Sequence, residues 1–277
     1  MKKDLFDLTG KVVLITGGGG FLASKSFAPA ILEYNGTVIM ADHNEDKVIE
    51  VCKELNKKYG NGKLFYEYLD ITDKTSIENV IEKYPEINCL INSACNNPKQ
   101  SKDSKTITSE SRFENFSLDT WKKDIEIGLT GTFLCSQILG NHFIKNNGGK
   151  IINIGSDLAL IQQDQSLYRI DGILDEDQPV KPVSYGVLKS GVVSLTKYMA
   201  SYPLFNKHNV RINCICPGPI FNPDMSADFV EKLSKKLLIG RLGKLEELKG
   251  IIVYLCGDNS DFMQGSIISI DGGRTII

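Results

Sequence analysis

A chain of 277 residues, 42% apolar and 24% charged, can bury a sizeable core and has the make-up of a soluble globular protein. Its formal net charge of −2 gives no field that would draw nucleic acid or an anionic membrane, so neither is expected as a partner. Seven cysteines without a CxxC pair and three scattered histidines offer no disulfide framework and no metal site, which points to reduced thiols and a cytoplasmic protein.

The N-terminal MKKDLFDLTG has no sustained apolar run, and the VVLI after it is too short for a signal segment or a membrane span. KVVLIT (11–16) reads as the first strand and runs straight into TGGGGFLASKSFAPA (16–30), a glycine run that opens a helix. Bare backbone at such a junction lets amides approach a phosphate that the positive end of the helix dipole helps to hold, although a flexible turn has the same composition. Pro29 falls inside that helix and is expected to bend or weaken it. The second strand, GTVIMAD, ends in Asp42, placed to accept the ribose hydroxyls of an adenosine and to repel a 2′-phosphate; a solvated strand-end carboxylate is the plain alternative.

In EDKVIEVCKELNKKY the residues Val48, Val51, Cys52, Leu55 and Tyr59 recur at helical spacing. LFYEYLD, NCLINSA, GKIINIGS, VRINCICPG and SIISIDGG supply five more strands, and several are apolar at nearly every position, as a sheet covered on both faces requires. Strands alternating with helices predict a single α/β domain: a doubly wound parallel sheet of about seven strands with helices on both faces, Rossmann-like. Two long polar stretches, 96–115 and 162–182, and a shorter lid-like segment, 222–240, are expected to form the rim of a cleft at the carboxyl ends of the strands. Lys99, Lys102, Lys105, Arg112 and Arg169 in the first two suit an anionic or polyhydroxylated small molecule.

Ser156 closes the fifth strand, and Tyr185 and Lys189 stand one turn apart on one face of the helix that begins near Ser184. Singly these are a turn cap, a half-buried aromatic and a solvated charge. Together with the TG-rich loop, Asp42, DIT at 70–72, NSA at 92–94 and PGPI at 217–220, in this order, they make the chain similar to single-domain members of the short-chain dehydrogenase/reductase family. The stretch LYRIDG…QPVKPVSYGVLK resembles oxidoreductases of flagellin-modification and surface-polysaccharide pathways.

That resemblance implies an NAD(P)-dependent enzyme interconverting a secondary alcohol and a carbonyl. Tyr185 is then the acid/base, its pKa lowered by Lys189, and Ser156 holds the reacting oxygen. The implied cofactor residues are Gly17, Gly19, Gly20, Phe21, Leu22, Asp42, Asp70, Ile71, Asn92, Ala94, Pro217, Gly218 and Ile220, with Tyr185 and Lys189. Asp42 favours NAD over NADP. The resemblance further implies a sugar or sugar-derivative substrate and a homodimer or homotetramer. A nucleotide-sugar epimerase or dehydratase with internally recycled NAD, and a non-catalytic NAD-binding protein, are the alternatives.

Three features depart from the family pattern. Gly128 stands where an asparagine is usual, on a helix expected to kink there. The glycine spacing of Thr16, Gly17 and Gly20 fits the extended branch better, because Phe21 and Ala23 occupy positions where the single-domain branch has glycine. The gap between Ser156 and Tyr185 is long.

Overall fold

The computed structural model describes residues 5–60, 62–96, 111–146 and 148–277. The core of the molecule is one seven-stranded parallel sheet, with strands β1 (Val12–Thr16), β2 (Thr37–Asp42), β3 (Leu64–Tyr68), β4 (Cys89–Asn92), β5 (Gly149–Ile154), β6 (Val210–Pro217) and β7 (Ile267–Ile270). Their spatial order is β3-β2-β1-β4-β5-β6-β7. The order reverses at β1 and β4, which pair Val13 with Cys89 and Thr16 with Asn92, and this switch opens a crevice beyond the carboxyl ends of both strands.

Alternation along the strands sorts the core into two layers. Val13, Ile15, Val38, Met40, Cys89 and Ile91 face one way, and helices α1 (Ala28–Glu33), α2 (Glu45–Tyr59) and α9 (Glu246–Cys256) cover them. Leu14, Ile39, Leu90, Ile151 and Ile212 face the other way, under α3 (Lys74–Lys83), α5 (Gly131–Lys145) and the buried stripe of α6 (Val183–Ala200). Both faces of the central strands are buried, so each contributes a continuous apolar run, and each fully buried Leu or Ile stabilises the fold by roughly 1.5–3 kcal/mol. β3 pairs on one side only and leaves Phe65, Tyr66 and Tyr68 exposed. The remaining helices are α4 (Leu118–Ile125), α7 (Pro203–Lys207) and α8 (Ala227–Ser234). Among the described residues no helix is long and apolar enough to cross a membrane.

The helix after the glycine run is irregular where Pro29 predicts it. Residues Ala23–Phe27 form a π turn in which the Ala28 amide bonds the Ala23 carbonyl, and α1 continues with Pro29 near its start. A proline has no amide to give to the carbonyl four residues back and its ring presses on that carbonyl. Widening the preceding turn relieves the clash at no further loss of hydrogen bonding. Pro29 is buried with Ala28, Ala30 and Ile31, so the irregular turn is packed.

Candidate active site

At the end of β1 the chain turns at Gly17, whose φ is +67° and where a Cβ would lie 2.7 Å from the Ala94 Cα; only glycine fits. The next three glycines do not present their amides to the crevice. Gly18 donates to Ala41 O at 2.9 Å, Gly19 to Asp42 Oδ2 at 2.9 Å and Gly20 to Gly17 O at 2.9 Å. The loop is thus held in shape by its own hydrogen bonds, and it is Gly20, Phe21 and Leu22, at the start of the helix, that line the cleft. Asp42 is fixed at the end of β2, where its Oδ1 also accepts the Asn44 amide at 3.0 Å.

Ser156 follows β5 in extended backbone and caps a short 3-10 turn, its Oγ accepting the Leu158 amide at 3.2 Å. The same Oγ donates to Asp157 Oδ1 at 2.8 Å. Arg274, near the end of the chain, holds the other oxygen of Asp157 at 2.6 Å. Tyr185 and Lys189 stand one turn apart on α6, and their side chains line the same cavity as Ser156.

One expectation needs correction. Burial, with Cys95 adding to it, pushes the Tyr185 phenol above its usual range, and the neighbouring Ser156 only partly opposes this. Lys189 Nζ donates to Ile154 O at 2.6 Å and lies 6.0 Å from the Tyr185 ring centroid. A different ammonium, Lys181 Nζ, stands 4.4 Å from that centroid.

The kink expected at Gly128 is present as a π turn, Glu126–Thr130, between α4 and α5. Gly128 is buried, and its carbonyl accepts the Thr132 hydroxyl at 2.9 Å. A Cβ there would meet Leu188 Cδ1 at 2.8 Å, so the leucine one turn along α6 fills the room of any larger side chain.

These groups line one cavity of about 470 Å³. Of the residues singled out in the sequence, Gly20, Phe21, Leu22, Ser156, Tyr185 and Lys189 line it, as do Pro217, Gly218 and Ile220 after β6. Gly17, Gly19, Asp42 and Ala94 lie behind the loop and shape it. Asp70 stands apart and accepts the Thr72 amide and hydroxyl at 2.9 and 2.7 Å, while Ile71 packs where a Gly131 side chain would be. Asn92 turns inward, donating to Ser136 Oγ at 2.9 Å and Asn153 Oδ1 at 2.8 Å, so its side chain is not offered to the cleft.

The rim differs from expectation. Residues 97–110, with Lys99, Lys102 and Lys105, lie outside the described residues. Arg112 donates to the carbonyls of Asp175 at 2.9 Å and Gln178 at 3.2 Å, and Arg169 pairs with Asp175 at 2.7 Å, so both cations brace the rim instead of facing a ligand. Lys236 joins Asp164 at 2.9 Å, tying segment 222–240 to segment 162–182. The Ser166 hydrogen bond and the Lys236 ammonium hold the Asp164 carboxyl down at about 2. Sequence reasoning missed Lys47, Cys95, Asp157, Lys181 and Arg274, all of which line the cavity. For Lys181 a signal existed: it precedes Tyr185 by four residues, directly before the helix.

The sequence profile described as short chain dehydrogenase matches residues 11–168, and that described as Enoyl-(Acyl carrier protein) reductase matches residues 176–275. The chain belongs to the short-chain dehydrogenase family. This short-chain dehydrogenase is 28% identical over 279 residues to the NAD-dependent glycerol dehydrogenase of Listeria innocua, covering 98% of this chain and 96% of the relative. It is 29% identical over 277 residues to the 3-oxoacyl-[acyl-carrier-protein] reductase FabG of Thermotoga maritima, covering 97% and 99%. Its fold matches the crystal structure of a gluconate 5-dehydrogenase from Burkholderia cenocepacia in complex with NADP and tartrate, with a TM-score of 0.80, 24% identity and coverage of 99% and 98%. The protein is thus an oxidoreductase of a family that uses NAD(P).

Proposed function

We propose that this short-chain dehydrogenase interconverts a secondary alcohol and a carbonyl on a sugar or sugar derivative, with NAD as its cofactor. The observation that carries the reading is the convergence of Ser156, Tyr185 and Lys189 on one cleft floored by the helix start at Gly20–Leu22. The chain suits a dinucleotide: Gly17 leaves room that a Cβ would fill, and the positive end of a helix faces the cleft. Phe21 and Leu22 then hold the pyrophosphate, Asp42 the adenosine ribose, Asp70 and Ile71 the surroundings of the adenine. The backbone at Asn92 and Ala94, with Pro217, Gly218 and Ile220, lines the path to the nicotinamide.

A bound nicotinamide dinucleotide supplies the ring that takes or gives the hydride. Ser156 donates a hydrogen bond to the substrate oxygen and stabilises the charge that develops there. Tyr185 takes the hydroxyl proton as the carbon–hydrogen bond breaks, or returns it to the carbonyl oxygen in reverse. Lys189 would reach the ribose of a bound nicotinamide and would favour the phenolate. Asp42 supports NAD over NADP, because a carboxylate anchored at the end of β2 would accept ribose hydroxyls and repel a 2′-phosphate. The name of the Listeria relative, a glycerol dehydrogenase, supports a polyhydroxylated substrate.

The test is reduced-cofactor formation by the purified protein over free sugars, sugar acids, sugar phosphates, nucleotide sugars and polyols, with NAD and NADP in parallel. NADH formed from a member of the panel supports the reading. Faster turnover with NADP overturns the role given to Asp42, and converted sugar without net NADH identifies an internally recycling enzyme. The same reading makes the protein a homodimer or homotetramer through α6, where Val187 and Tyr198 are exposed, and the C-terminal strand; a monomer in sedimentation contradicts it.

A further inference from the structure

Tyr185 sits in the first turn of α6, and Pro182 at the N-cap makes no side-chain hydrogen bond to that turn. The turn is held from another helix instead. Ser184 Oγ donates to Asp124 Oδ2 on α4 at 2.5 Å, and both residues are buried. The other carboxylate oxygen, Oδ1, accepts from Asn96 Nδ2 at 2.8 Å. Asn96 directly follows Cys95, which lines the cleft. One buried carboxylate therefore joins the helix that carries Tyr185 to the chain leaving β4.

The contact runs on in step along both helices. A Gly128 Cβ would meet Leu188 Cδ1 at 2.8 Å, and a Gly191 Cβ would meet Leu129 Cδ2 at 2.8 Å. Those are apolar contacts without direction, whereas the bond from Ser184 to Asp124 is polar and directional. A hydroxyl bonded to an anion is short and strong, and burial removes the water that would compete for it. The carboxylate also complements the positive end of α6. It favours the charged form of Lys181 as well, whose Nζ stands 4.4 Å from the Tyr185 ring centroid.

We propose that Asp124 is a positioning residue: through Ser184 it fixes the first turn of α6, and with it the place of the Tyr185 hydroxyl against the reacting oxygen. This rests on Tyr185 being the acid/base proposed above. A proton passes only between atoms within hydrogen-bond reach, and a misplacement of about 1 Å can cost about 10²-fold in rate. Loss of the clamp therefore shows in the proton-transfer step and not in how tightly cofactor or substrate binds.

The test compares the wild type with Asp124→Ala, Asp124→Asn, Ser184→Ala and the double alanine variant, with Tyr185→Phe alongside. Amide hydrogen exchange at residues 187–189, whose N–H groups close the first turn of α6, needs no substrate. It is expected to quicken at least about fivefold in both single alanine variants, and unchanged exchange overturns the proposal. On a substrate from the panel, kcat is expected to fall about tenfold in each alanine variant and little further in the double, with KM and the NADH dissociation constant within about twofold of wild type. Asp124→Asn keeps an oxygen for the Ser184 hydroxyl and is expected to hold kcat within about threefold of wild type. Ser184→Ala removes one atom and keeps the Asp124 charge, so it carries the same prediction if Asp124→Ala does not fold. A loss confined to the Asp124 variants would mean that the carboxylate acts on Lys181 and not through Ser184, and overturns the proposal. Wild-type kcat in both alanine variants, or a loss lying in KM alone, does the same. Turnover retained by Tyr185→Phe sinks the acid/base reading, whereas a dead Tyr185→Phe beside fully active alanine variants sinks this inference alone.

Discussion

Asp157 and Arg274 meet in a buried ion pair, 2.6 Å from Nη1 to Oδ2, directly behind Ser156, whose Oγ donates to the other carboxylate oxygen at 2.8 Å. The arginine orients the carboxylate and the carboxylate orients the serine, so the last turn of the chain is coupled to the reacting end of the cleft. Arg274→Met leaves a buried carboxylate unpaired and is expected to cost about 3–5 kcal/mol in urea unfolding. Adding Asp157→Asn removes the stranded charge and is expected to recover most of that loss. An Arg274→Met protein as stable as the wild type contradicts the coupling.

Gly128→Ala places a methyl 2.8 Å from Leu188 Cδ1 in a buried π turn. Overpacking of this kind costs about 1–3 kcal/mol. Leu188→Val in the same background is expected to return part of it, and a double-mutant cycle in thermal unfolding reads the coupling. Additive effects would show that the two residues do not share the space.

The sheet was legible because seven strand-like runs, separated by turn residues and helical repeats, leave almost no other arrangement. That Ser156, Tyr185 and Lys189 meet in one cleft was legible from their order along the chain, and Pro29 marked an irregular turn. What the sequence hid were contacts made across the fold. Asn92 looks like a cleft residue until strand register turns it inward to Ser136 and Asn153. Arg112 and Arg169 look like ligand-binding cations until the rim folds back and spends them on its own carbonyls and carboxylates. Arg274 meets Asp157 across 117 positions, a separation at which no local pattern signals the pairing.

Burial draws the Lys181 ammonium down to about 8, below its ordinary 10.5, against the opposing pull of Cys95, Asp157 and Asp124. This group therefore disfavours folding at neutral pH, and its penalty is relieved as pH climbs from about 8 toward 10.5. Urea unfolding from about pH 7 to about pH 10 is expected to show a stability increment that Lys181→Met lacks, and identical pH profiles for the two proteins contradict the assignment.

Thiol reactivity offers an independent view of the cleft. Burial holds Cys52 and Cys135 at about 12, and Cys214 and Cys256, beside their neighbouring thiols, well above the usual range. Cys216 is drawn down by its bond to Cys214 yet is fully buried. Cys95 is half-buried and lines the cavity, so iodoacetamide is expected to label it first in the native protein, more slowly once NADH is bound. Peptide mapping reads this directly, and labelling indifferent to NADH would separate Cys95 from the cofactor path.

The account turns on Tyr185, and the most direct measurement compares kcat of wild type and Tyr185→Phe on a substrate found in the panel, with the NADH dissociation constant of each. The phenyl ring keeps the packing under Lys181 and removes only the proton-transferring hydroxyl. A fall in kcat of about 10²–10⁴-fold, with NADH affinity unchanged within about twofold, is the predicted result. A variant that keeps more than about a tenth of wild-type turnover would show that another group moves the proton.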